Sequence, residues 1–157
     1  MAEKRYEDAP SNILEMVDEI RDADFSYLNA ANIKVVIDTK IRKSKGKVTL
    51  GRMKKANAVE KYLSEDSNGI EIDYVMFLDR MLVDNCDEID IRRTISHELQ
   101  HCEYNSESDD PYKIRGHEIE DFFDEIEKNA DDPRWSERAT AIIIAKYEQE
   151  KEARKNK

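Results

Sequence analysis

The residues His97-Glu98-Leu99-Gln100-His101 form an HExxH, and the one remaining histidine, His117, follows in the run Tyr112-Lys113-Ile114-Arg115-Gly116-His117-Glu118. On an α-helix, positions four apart project from nearly the same side, about 40° apart around the axis. Two imidazoles so placed can both reach one zinc ion, and the glutamate between them can reach the water on that zinc. A third protein ligand from a following element would leave one position open, which distinguishes a catalytic from a structural zinc site. His117 is a candidate for that ligand. Glu118 and Glu120 are alternatives, because HExxH with a downstream glutamate is equally sound zinc chemistry. The bland alternative is an exposed helix carrying two histidines by coincidence, and the confinement of all three histidines to this stretch argues against it.

The elements that must position these residues can be read from periodicity. Asp84, Asn85 and Asp87 offer N-caps for the motif helix, with Ile91, Ile95, Leu99 and Cys102 as its core stripe. Upstream, Ser11 is an expected N-cap for a helix with apolar residues Ile13, Met16, Val17 and Ile20. Ile33-Lys34-Val35-Val36-Ile37 reads as a buried strand, and Lys47 to Met53 as its hairpin partner across a basic turn at Gly46. Ala56 to Leu63 is ambiguous between a helical turn and a loop. Ser67-Asn68-Gly69 signals a turn into a third strand within Ile70 to Leu78. Beyond the motif, Asn105 to Pro111 is a polar loop. A helix is expected around His117, with an apolar face of Ile119, Phe122, Phe123 and Ile126. A last helix, capped by Ser136, carries Ala139, Ile142, Ile143 and Tyr147. The fold class expected is α+β, with a small three- or four-stranded, mostly antiparallel sheet packed on the HExxH helix. One domain spans residues 1–157, with 1–10 and 149–157 expected to fray.

The 157 residues carry 36 acidic and 26 basic side chains, a net charge of -10 that opposes general attraction to nucleic acid or anionic lipid. The basic stretch Lys40 to Lys47 runs against that average and reads first as a solvated hairpin turn. No apolar run approaches a membrane span, and the first residues lack a signal-peptide core, so the chain is expected in the cytoplasm. Cys86 and Cys102 make no disulfide framework and fit a reducing compartment; Cys102 reads as a buried thiol.

The succession of helix, strands, HExxH helix, loop and Gly116-His117 resembles the minimal zincin layout of SprT-like metallopeptidases. It is more similar still to the phage metallopeptidase family of small single-domain proteins from phages and prophages. Gly51-Arg52-Met53-Lys54-Lys55, the strand into Phe77-Leu78-Asp79, the HExxH, and Arg115 to Phe122 carry that likeness. The resemblance implies that His97, His101 and His117 bind one Zn2+, with the Gly-His pair favouring His117 over the glutamates. It implies Glu98 as general base, and a protein or peptide substrate in the host cell cytoplasm. Asp121 would orient a histidine ring. Tyr104, Tyr112 and Arg115 are candidate oxyanion donors. The acidic loop between the motifs and the shifted aromatic spacing after His117 depart from the SprT-like pattern and weaken substrate analogies. The competing function is a zinc-bearing interaction or host-takeover factor with little or no turnover.

Overall fold

In the computed structural model, which describes residues 4–44, 47–116 and 123–155, a four-stranded sheet forms the platform. Its spatial order is β1 (Tyr6–Asp8), β2 (Ile33–Asp38), β6 (Tyr74–Asp79) and β5 (Gly51–Lys55). The outer pairs are antiparallel, whereas β2 and β6 run parallel from Ile33 opposite Tyr74 to Asp38 opposite Asp79. The fold is therefore α+β as expected, with one correction to the pairing. The partner of β5 is β6 rather than β2. The sequence is consistent with the exchange, since Tyr74-Val75-Met76-Phe77-Leu78 is apolar on both faces and suits a central strand. Gly51-Arg52-Met53-Lys54-Lys55 carries charges along its length and suits an edge.

One face of the sheet holds Val35, Ile37, Met53, Tyr74, Met76 and Leu78, all buried. Onto it pack α1 (Ser11–Asp24), through Ile13, Met16, Val17 and Ile20, and α4 (Glu88–Gln100), through Ile91, Ile95 and Leu99. At the start of α1 the N-cap is Pro10, and Ser11 is the first helical residue. The Pro10 carbonyl accepts from the amides of Ile13 and Leu14, so a side-chain cap is dispensable. The parallel crossover contains the small hairpin β3 (Lys43–Ser44) and β4 (Lys47–Val48), then β5, then α2 (Ala58–Ser64). Asn57 and Glu60 form a reciprocal capping box, so the ambiguous stretch Ala56 to Leu63 is helical from Ala58 onward.

After β6, Asp79 caps α3 (Arg80–Asn85) by accepting from the amides of Met81 and Leu82. Helix α6 (Trp135–Lys155) docks on α3 and α4 through the buried Trp135, Ala139 and Ile143. It continues through the charged residues where composition suggested fraying, and Tyr6–Asp8 pairs as a strand in the other terminal stretch.

The motif helix runs directly into a hairpin that periodicity does not reveal, β7 (Cys102–Tyr104) with β8 (Tyr112–Ile114). Two tyrosine hydroxyls hold it, one from the buried Tyr74 and one from the half-exposed Tyr27. The Tyr74 hydroxyl donates to the Lys113 carbonyl (2.8 Å), and the Tyr27 hydroxyl to that of Cys102 (3.1 Å). The helix expected around His117 falls partly outside the described residues. Its later part coincides with the short helix α5 (Phe123–Lys128).

Candidate metal centre

Asp87 is the N-cap of helix α4, with Glu88 and Asp90 in its first turn, where acids complement the helix dipole. Its other end is brought close to the sheet by a missing side chain. A Cβ on Gly51 would lie 3.1 Å from the Phe77 carbonyl oxygen, 3.2 Å from Glu98 Cγ and 3.2 Å from Thr94 Cγ2. Glycine thus lets the edge strand touch the helix at the residue expected to be the base. Spacing alone does not assign Gly51 this task, although a glycine inside a strand pattern signals close approach.

His97, Glu98 and His101 converge. One ligand atom from each lies within 4.8 Å of the others. The two imidazole rings are 5.5 Å apart at 73°, and His101 Nε2 is 3.9 Å from Glu98 Oε2. His101 is the C-cap of α4 but keeps helical backbone angles, so the one-turn geometry extends to it. Its Nδ1 lies 2.7 Å from the Arg115 carbonyl oxygen. That contact makes Nδ1 the protonated nitrogen and leaves Nε2 as the lone-pair donor. Two nitrogen donors one turn apart, one of them oriented by a backbone carbonyl, fit a zinc-type ion.

Glu98 is only 5% exposed. Burial pushes its carboxyl up to about 7, against the opposing pull of His97 and Arg52. A carboxyl poised there can take and return a proton near neutral pH.

His117, with the alternatives Glu118 and Glu120 and the orienting candidate Asp121, lies outside the described residues. Arg115 is committed elsewhere: Nε donates to the Gln100 carbonyl and Nη2 to Gln100 Oε1, each at 2.7 Å. It braces the end of α4. Tyr112 packs edge-on against Tyr74 at 5.8 Å and tilted against Tyr104 at 5.4 Å, joining hairpin and sheet. Tyr104 stands on β7, half-exposed, rather than capping the helix. Cys102 is buried in the core, as its place on the apolar stripe suggested.

A family model described as "Putative phage metallopeptidase" matches residues 4–147. The chain belongs to this phage metallopeptidase family. Membership accounts for a His-Glu-His group on a buried helix and implies a metal ion and hydrolysis of protein or peptide bonds at the level of the family. Neither a curated protein nor a solved structure matches the chain. No helix among the described residues is long and apolar enough to cross a membrane.

Strand β6 is bonded on both sides and offers no open edge to an extended substrate. Among the described residues, the outer strand of the sheet on the side of the motif helix is β5, with β8 packed near its Lys55 end.

Proposed function

We propose that the chain is a zinc-dependent peptidase in which His97, His101 and His117 hold one Zn2+ and Glu98 is the general base. The convergence of His97, Glu98 and His101 within 4.8 Å, inside a chain of this family, carries the proposal. Zinc supplies Lewis acidity toward a carbonyl and lowers the pKa of a bound water. The chain's own residues do the rest. His101 is held in one tautomer by the Arg115 carbonyl, and Glu98 is held dry beneath the edge strand by Gly51. Glu98 accepts a proton from the attacking water and returns it to the departing amine. The edge of β5, unpaired among the described residues, offers backbone donors and acceptors to an extended peptide, which would lay it across the end of α4.

Elemental analysis of the purified full chain, beside His117→Ala, tests the metal. About one zinc per chain, weakened in the variant, supports the site. No zinc after refolding in its presence overturns it. A denatured-protein digestion assay with wild type and Glu98→Gln tests the chemistry. An effect in infected cells that survives Glu98→Gln would instead favour the interaction factor.

A further inference from the structure

Most arginines on the helical side of the molecule have acidic partners. Arg21 takes Asp18, Arg92 takes Glu19 and Glu88, Arg138 takes Asp90, and Arg80 takes Glu150. On β5 the same holds for Lys54, paired with Glu60, and Lys55, paired with Asp110, but at the start of that strand and in the hairpin that precedes it the pattern reverses. Among the described residues, no carboxylate lies within ion-pair distance of Lys40, Arg42, Lys43 or Arg52, although acids outnumber bases 36 to 26 in the chain. The Arg52 guanidinium lies over the Phe77 ring at 4.1 Å, and its buried Nε has no hydrogen-bond partner among the described residues. Burial first, then the like charge of Arg42, disfavour its charged form and hold its pKa below the usual arginine value, against the opposing pull of Tyr6 and Asp38. Lys40, Arg42, Lys43 and Arg52 thus leave a local excess of positive charge, offset only in part by Asp38, that an incoming anion would relieve.

The placement decides which anion. Arg52 is opposite Phe77 in the ladder and projects from the sheet face away from α4; Lys54, two residues on, shares that face and is engaged by Glu60 at 2.7 Å. A peptide strand added to the free edge of β5 would put alternate side chains on this face, about 4.5–5.5 Å from its cross-strand neighbour. Arg52 adjoins Gly51, which touches Glu98, so the side chain facing Arg52 sits close to the reacting bond. A nucleic acid fits less well. The Phe77 ring is covered by Arg52 and approached by Tyr6 at 5.5 Å, leaving little ring face for a base to stack on.

We propose that this edge selects extended peptides with an acidic side chain facing Arg52 and further acidic residues running toward Arg42 and Lys43. The proposal rests on the peptidase reading for its consequence but not for its binding step.

Two fluorescent dodecapeptides, identical except for aspartate or asparagine at alternate positions, test it. Binding is read by anisotropy on full-length Glu98→Gln, and cleavage by mass spectrometry with the zinc-loaded wild type. The expected result is about tenfold tighter binding of the aspartate peptide, collapsing in an added Arg52→Gln, retained in Arg52→Lys and reduced in Arg42→Ala. Cleavage of both peptides alike, or equal binding of both, overturns the proposal and leaves the peptidase reading standing. Tighter binding of a labelled oligothymidine that displaces the aspartate peptide also overturns it. Selective binding without cleavage of any peptide upholds the docking edge and removes the peptidase reading instead.

Discussion

The two ends of helix α4 bury charge in opposite ways. At its first turn, Asp90 is fully buried and takes Arg138 through two bonds of 2.6 and 2.8 Å. Arg93, nearly as buried, bonds Asp90, Asn129, Asp131 and Asp132. Every charge there meets a counter-charge, and the network fastens α6 and the preceding turn to α4. At its last turn, Glu98 is nearly as hidden, and among the described residues it has the two histidines beside it and the weaker pull of Arg52, with no arginine or lysine in ion-pair contact. Buried charge with partners holds structure together; buried charge without a permanent cation is kept ready for a proton.

The sharpest way to break this contrast is Glu98→Gln. Turnover should fall by about 10²–10⁴-fold, while the thermal midpoint of the metal-free chain is unchanged or raised. A large loss of stability would show that Glu98 is a structural carboxylate after all. Asp90→Ala should do the reverse, costing about 3–5 kcal/mol in denaturant unfolding because Arg138 and Arg93 lose their buried partner. A cost below about 1 kcal/mol would mean the network is only solvated decoration.

Asp79 lies between these extremes, hydrogen-bonded by Met81, Leu82 and the Tyr147 hydroxyl (3.0 Å). Burial pushes its carboxyl up from 3.8 to about 6 despite those bonds. A raised carboxyl favours the folded state while both states are protonated, and that advantage is lost as pH rises through the folded value. Stability should therefore decline between about pH 4 and pH 6 by on the order of 2–3 kcal/mol, and Asp79→Asn should flatten that limb. An unchanged slope in the variant would remove Asp79 from the comparison. Smallest is Gly51→Ala, where crowding against Phe77, Thr94 and Glu98 should cost about 1–3 kcal/mol. Activity should drop by more than stability explains, and a fully active variant would show that the strand does not set Glu98.

The legible parts of this molecule were those written locally. HExxH declares its own geometry, and α1, α4 and α6 announce themselves through apolar spacing at Ile13 to Ile20, Ile91 to Leu99 and Ala139 to Ile143. Pairing partners are a non-local matter. Nothing in Lys47 to Met53 says that Met53 will face Met76 rather than a residue of β2, because both candidate partners are apolar strands. Hairpin β7–β8 was hidden for a related reason: its three-residue strands are too short for a period, and tyrosine anchors from distant positions hold it. The roles of Gly51 and the Arg115 carbonyl were equally out of reach, being functions of backbone in contact rather than of residue type.

His101 stands where helix becomes hairpin, with its amide bonded back into α4, its carbonyl accepting the Arg115 amide and its ring tied to the Arg115 carbonyl. Once that ring holds a metal, letting go of the ion and opening the hairpin become coupled equilibria, so each reports on the other. Chelation should therefore speed amide hydrogen exchange at Cys102–Tyr104 and Tyr112–Ile114 while leaving the β2–β6 ladder slow. In such a chain the supply of metal would act as a thermostat on one small hairpin.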